Sequence, residues 1–195
     1  MNVLVITGPS GVGKGTLIRA LMERLPGLEL SVSATTRKPR PGEENGRDYW
    51  FMTPEEFEKR LQAGEFLEHA EYAGHRYGTL RSELERPAAR DGDGIRGLVL
   101  EIEIQGARQV REALPEAVQV FIKPPSLEAL RARLAGRGAE SSDQIERRLA
   151  VAREELKAES EFPYVIVNDR LEEAVDELAG LVATLWAPGA RGAAK

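Results

Sequence analysis

The chain opens with a short apolar strand, a glycine-rich loop and a helix, and this succession constrains its fold more than any other stretch. Val3 to Ile6 is an apolar run that leads into a glycine, the pattern of a strand buried on both faces of a parallel sheet. Gly8-Pro9-Ser10-Gly11-Val12-Gly13-Lys14 follows, and then Leu17, Ile18, Leu21 and Leu25 recur at helical spacing and stop at Pro26. A glycine-rich loop in that setting lets successive backbone N–H groups converge on an anion, and the helix N-terminus adds partial positive charge. The segment therefore reads as a phosphate-binding loop, with Lys14 placed to reach the β and γ phosphates of a nucleoside triphosphate. The residue after the lysine is usually a Ser or Thr that ligates magnesium; here it is Gly15, and Thr16 comes next. Thr16 becomes the candidate phosphate contact, and Mg²⁺ is expected to be held mainly by nucleotide oxygens and water.

Further along, Leu98 to Ile104, Ala117 to Ile122 and Tyr164 to Val167 read as strands, and the last helix runs from about Leu171 to Trp186. Strands alternating with helices point to an α/β core with a parallel sheet, of the three-layer P-loop NTPase type. Two stretches interrupt it. The first is rich in Arg, Gly, Pro and Tyr and holds a helix starting at Thr53-Pro54, with Glu56 completing a capping box. The second is arginine-rich and helical, with Leu127, Leu130 and Leu134 on one helix. In it Ser141 and Gln144 cap another helix, which carries Ile145, Leu149, Ala152 and Leu156 on one face.

At 195 residues the chain is expected to form one unit. A net charge of −5 argues against binding a nucleic-acid polymer, although a local cluster of arginines can still attract small anions. The absence of cysteine removes disulfides, thiolate zinc sites and thiol catalysis. No apolar run approaches the roughly 20 residues that span a bilayer, and no basic stretch precedes an apolar one at the N-terminus. No membrane association and a cytoplasmic location are the expectation.

The first interrupting stretch carries Ser33-Ala34-Thr35-Thr36-Arg37-Lys38-Pro39-Arg40-Pro41-Gly42-Glu43, then Gly46-Arg47-Asp48-Tyr49, Gly64-Glu65-Phe66-Leu67-Glu68 and Tyr77-Gly78-Thr79. Gln105-Gly106-Ala107, Lys123-Pro124-Pro125-Ser126 and Asn168-Asp169 follow in order. This set, after that loop, strongly resembles the guanylate kinase family over roughly Val3 to Leu185. The resemblance implies transfer of the γ-phosphoryl group of ATP to GMP, with Mg²⁺ accompanying ATP. It implies a single domain over 1–195: a core of about 1–32, 95–123 and 162–186, a GMP-binding region of about 33–94 and a lid of about 124–161. Residues 187–195 read as a flexible tail.

Residue by residue, the resemblance places ATP on Gly8, Pro9, Ser10, Gly11, Val12, Gly13, Lys14, Gly15 and Thr16, with Asn168 near the adenine. It places the GMP phosphate on Arg37, Arg40, Tyr49 and Tyr77. Planar guanidinium groups grip phosphate oxygens bidentately, and tyrosine hydroxyls add neutral hydrogen bonds. Glu68 matches the carboxylate that reads guanine, whose N1–H and 2-amino group are both donors; Ser33 and Thr79 match its hydroxyl contacts. Lys14, Arg37 and the lid arginines Arg133, Arg137 and Arg148 are the catalytic candidates. Arg133 and Arg137, four apart, are expected on one helical face.

Glu101 and Glu103 stand where the family usually has aspartates. Two apart on a strand, they are expected to point the same way. One could serve the guanine or metal shell and the other orient an arginine, with Glu101 favoured for the metal or phosphate side. No general base is needed, because the GMP phosphate, with a second pKa near 6, is already a nucleophile. Arg131, Arg147 and Arg153 read as surface residues, His69 and His75 as structural or solvated, and Trp50 and Trp186 as core or interface. Glu85 to Gly97 reads as a loop without a functional assignment. Two other readings stay open: a guanylate-kinase-like module that binds peptides, and a kinase for another monophosphate such as AMP or dTMP. The presence of Lys14 and the lid arginines opposes the first, and Glu68 with Tyr77-Gly78-Thr79 opposes the second.

Overall fold

The structure, a computed structural model, describes residues 2–85, 96–136 and 141–187. Its centre is a five-stranded parallel sheet in the order β2 (Leu28–Leu30), β7 (Gly97–Glu101), β1 (Val3–Thr7), β8 (Val118–Lys123), β9 (Tyr164–Val167). All of β1 is buried, as a central strand covered on both faces must be. Its alternate residues divide between two layers. Leu4 and Ile6 join Leu17, Ile18 and Leu21 of α1 (Lys14–Arg24) and Val175, Leu178 and Val182 of α6 (Leu171–Leu185). Val3 and Val5 join Ala107 and Val110 of α3 (Ile104–Ala113), with Phe121 and Phe162. The three-layer α/β core expected from the sequence is present.

A second, four-stranded sheet, in the order β4 (Trp50–Phe51), β3 (Ala34–Thr35), β6 (His75–Leu80), β5 (Phe66–Tyr72), belongs to the first interrupting stretch. β5 and β6 form a hairpin, and its two turn residues, Ala73 and Gly74, have φ of 51° and 75°, as a type I′ turn requires. The sheet packs Ala34, Phe66 and Leu80 on Phe57 of α2 (Pro54–Gln62). It is tied to the core through α3: the Gln109 side chain accepts from the His69 N–H at 3.1 Å and donates to the His69 carbonyl at 2.7 Å. Glu83 accepts from the Val32 amide at 2.8 Å and from the Trp50 indole at 3.1 Å, so Trp50 is a strut of this unit. The second interrupting stretch forms a helical pair, α4 (Leu127–Ala135) and α5 (Ser142–Leu156), with Leu130, Leu134, Ile145, Leu149 and Ala152 as its own small core. Both expected capping boxes, at Thr53 and Ser141, are formed.

One expected boundary is corrected. β7 ends at Glu101, where its partner β1 turns into the glycine loop, and Glu103 is the N-cap of α3 with Ile104 as its first residue. Glu101 and Glu103 therefore lie on different elements, not side by side on one strand. Most of the loop read from Glu85 to Gly97, all of the expected tail beyond Ala187, and Arg137 lie outside the described residues.

The loop depends on glycine where its backbone meets β8. Gly8 has φ of 140°, and a Cβ there would lie 2.1 Å from the Ile122 carbonyl oxygen. Gly8→Ala is expected to destabilise by about 3 kcal/mol or more through backbone strain and overpacking, lowering the melting midpoint by about 10 °C. Gly180→Ala, on α6 with nothing within 4 Å of the added carbon, should hold or raise it. Equal melting curves for the two variants would refute the close packing of the loop on β8.

Candidate active site

The loop closes the C-terminal end of β1, and the ends of β7 and β8 bring Glu101 and Lys123 to the same sheet edge, where open parallel sheets bind ligands. Gly11 and Gly13 adopt φ of 87° and 99°, which turns the chain into α1. Lys14 Nζ donates back to the carbonyls of Gly8 at 2.6 Å and Pro9 at 3.2 Å, holding the cation over the loop.

The helical pair reaches the same loop. Arg133 donates to the Val12 carbonyl at 3.2 Å and to that of Asn168 at 2.7 Å. Buried Asn168 donates its side-chain amide to Val12 as well, at 2.9 Å. Arg148 donates to Ser10 Oγ at 2.8 Å. Arg133 lies on α4 (Leu127–Ala135), while Arg137, its expected neighbour four residues on, lies outside the described residues. Thr16 is exposed and lines the cleft in front of the loop.

Across the cleft, a bulge between Phe66 and Glu68 sets Glu68 directly opposite Thr79, so their side chains share a face of the hairpin. Thr79 Oγ1 donates to Glu68 Oε1 at 2.7 Å, and Glu68 is only 4% exposed. Burial pushes its carboxyl up to about 6; the Thr79 bonds pull it down, and the negative charge of Glu103 adds a smaller upward push. Burial likewise raises Glu101, against the pull of Lys14.

Arg37 is held by Glu43 Oε1 at 2.9 Å and lies over the ring of Tyr49 at 5.2 Å. Tyr49 and Tyr77 have ring centroids 6.2 Å apart. Burial, then Tyr77, raises the Tyr49 hydroxyl, so it stays protonated and a donor. Arg40 differs from the other three phosphate candidates: its amide donates to Glu43 Oε2 at 2.7 Å while the residue is exposed. Arg37 and the two tyrosines are brought together; Arg40 stays at the rim.

One cleft of about 500 Å³ joins the two ends. Ser10 to Thr16 line one side, apart from Val12; Ser33, Tyr49, Glu68 and Tyr77 line the other, with Glu101 and Glu103 between them. Two residues have no assignment from sequence. Glu43 positions Arg37 and the Arg40 backbone at once, and an acid six residues after an arginine in a turn-rich loop was the available signal. Glu155, on α5, carries a buried Oε2 without a partner. Burial and then Glu103 raise its carboxyl, while Lys14 and the Ser10 amide lower it. It looks like one more surface acid in the helix pattern, and only the fold brings it to the loop. Arg131 is exposed and pairs with Glu146, as a surface residue would.

A glycine loop on a parallel sheet, facing a second polar pocket in one cleft, is the arrangement of a P-loop phosphotransferase. The family model for guanylate kinase matches residues 1–185. The chain is 52% identical over 181 residues to a guanylate kinase of Synechococcus sp. (strain JA-3-3Ab), covering 93% of this chain and 82% of that one. It is 50% identical over 191 residues to that of Rubrobacter xylanophilus, covering 96% of each. Its fold matches the crystal structure of guanylate kinase from Anaplasma phagocytophilum with a TM-score of 0.74 at 34% identity, covering 97% of this chain and 88% of that one. The chain belongs to the guanylate kinase family, whose members are ATP:GMP phosphotransferases. Among the described residues no helix is long and apolar enough to cross a membrane.

Proposed function

We propose that this chain transfers the γ-phosphoryl group of ATP to GMP in the cleft described above. ATP lies on residues 8–16 under a lid of about 124–161, and GMP lies in the region of about 33–94. The observation that carries this assignment is the shared cleft: the phosphate loop and Glu68, whose carboxylate is held from behind by the Thr79 hydroxyl, both line it.

Ionised Glu68 accepts from guanine N1–H and the 2-amino group, with Ser33 and Thr79 as hydroxyl contacts. Adenine lacks that donor pair, and a buried carboxylate left unpaired rejects it by about 10⁴-fold. Arg37, Tyr49 and Tyr77 hold the GMP phosphate, with Arg40 closing on it from the rim. That phosphate, with a second pKa near 6, attacks without a general base, so catalysis is positioning and charge stabilisation. Lys14 and Arg148 face the transferred group, while Arg133 and Asn168 hold the loop and the adenine side. A lid closed on the loop excludes the water that would otherwise accept the phosphoryl group.

Mg²⁺ accompanies ATP. The donor set suits a hard, water-rich cation: a Glu101 oxygen lies 3.6 Å from where a side chain at Gly15 would begin. Glu101 is the residue that would help hold the ion, alongside nucleotide oxygens and water. When bound, the ion neutralises charge on the β and γ oxygens.

A coupled assay of ADP formation, with GMP, AMP, dTMP and UMP offered separately, tests the assignment. Turnover with GMP alone is expected. No turnover with any acceptor would favour a peptide-binding module, and AMP used as well as GMP would remove Glu68 from the base.

A further inference from the structure

Gly106 is the third residue of α3 and is buried. Glycine has low helix propensity, and Gly106 is not among the glycines with positive φ. The backbone conformation therefore gives no reason for a glycine there. Glu68 does. A Cβ at position 106 would lie 2.2 Å from Glu68 Oε2 and 3.0 Å from its Cδ. Strand β5 cannot back away, because Gln109, on the next turn of α3, holds both backbone groups of His69. On the other side Glu68 Oε1 is held by the Thr79 hydroxyl at 2.7 Å. The carboxylate is wedged between that hydroxyl and the bare α-carbon of Gly106.

We infer that Gly106 is a specificity-determining residue: its missing side chain creates the space that holds the Glu68 carboxylate in its base-reading pose, and any side chain there turns it off the guanine edge. This rests on Glu68 reading guanine, as proposed above. The atoms that must move are the far end of a flexible side chain, so the fold yields at little cost while the recognition geometry does not. Gly106 acts through Glu68 and need not touch the nucleotide.

The test compares Gly106→Ala, Glu68→Ala and the double variant. Gly106→Ala is expected to raise KM for GMP about 10- to 100-fold, the loss of one charge-assisted hydrogen bond. KM for ATP and the melting midpoint should hold. In the Glu68→Ala background the space is vacant, so adding Gly106→Ala should leave KM for GMP where it was and raise the melting midpoint. A wild-type KM for GMP in Gly106→Ala, or the same increase in both backgrounds, would overturn the inference. Glu68→Ala with a wild-type KM for GMP would instead refute the base-reading role, a separate result. Should Gly106→Ala fail to fold, the double variant decides. Its folding supports the wedge, and its failure shows that position 106 collides with something other than Glu68.

Discussion

Replacing Glu68 by glutamine is expected to abolish most GMP turnover and, without nucleotide, to make the protein more stable at neutral pH. The first effect follows from donor count. Guanine N1–H and its 2-amino group both donate, a carboxylate in the proposed role accepts both, and an amide turns one acceptor into a donor. Losing one or two charge-assisted bonds at about 1.5–3 kcal/mol each, with a donor now facing a donor, amounts to about 10²–10⁴-fold in kcat/KM for GMP. The second effect follows from burial. The Glu68 carboxyl titrates at about 6 in the fold, above the usual glutamate range, so the folded state holds its proton more tightly than the unfolded one. Stability from this group is full below the ordinary carboxylate range and is lost as pH rises through about 6. Above that, the buried charge costs about 2 kcal/mol. Glu68→Gln removes that cost, so its melting midpoint should exceed that of the wild type by about 4–8 °C at pH 7.5. The gap should close toward pH 4.5, and a variant less stable than the wild type at pH 7.5 would refute the strained carboxylate.

With Glu68 in the proposed base-reading role, GMP binding should reverse the balance, because two guanine donors would satisfy the ionised form. Below about pH 6 two groups then take up protons to the detriment of GMP: Glu68, and the GMP phosphate with its second pKa near 6. Log kcat/KM for GMP should fall with a slope approaching two in the wild type and one in Glu68→Gln. The same slope in both would mean that Glu68 does not titrate in the free enzyme.

What sequence made legible was local. Buried β1, the glycine loop and α1 carry period and punctuation that few other structures share, and the capping boxes at Thr53 and Ser141 declare their helices. The second sheet was illegible because its pattern is weak: β3 and β4 span two residues each, and β5 places Glu68 and His69 together where alternation was needed. Its strands exist because pairing and α3 hold them. The Glu-Ile-Glu-Ile run alternates like a strand, yet the sheet ends at Glu101 because its partner β1 has already turned away. Glu68 and Gly106, or Glu155 and Ser10, lie far apart in sequence and touch only in the fold. The motif names such residues; it does not say what presses on them.

Lys14→Met should cost about 10³-fold in kcat, near what removing one transition-state donor costs, and leave the fold intact. Methionine keeps the unbranched stem, so packing changes little. What disappears is the cation bound to the Gly8 and Pro9 carbonyls and the charge opposing Glu101 and Glu155. With nucleotide absent, those half-buried carboxyls should then titrate higher still. In the reaction, negative charge spreads over the equatorial oxygens of the moving phosphoryl group, and Lys14 from the loop and Arg148 from α5, both at the loop, are the cations proposed to meet it. A lysine stabilising that charge more in the transition state than in bound ATP lowers kcat when lost, with little change in KM for ATP. One that only anchors ATP raises KM and spares kcat. Lys14→Arg should not rescue, because a planar fork cannot take the place of a compact ammonium beside two carbonyls. Steady-state kinetics of Lys14→Met beside Arg148→Met separates these roles. If kcat falls by less than about tenfold with Lys14→Met and collapses with Arg148→Met, the arginine from the lid, not the loop lysine, bears the transferred charge.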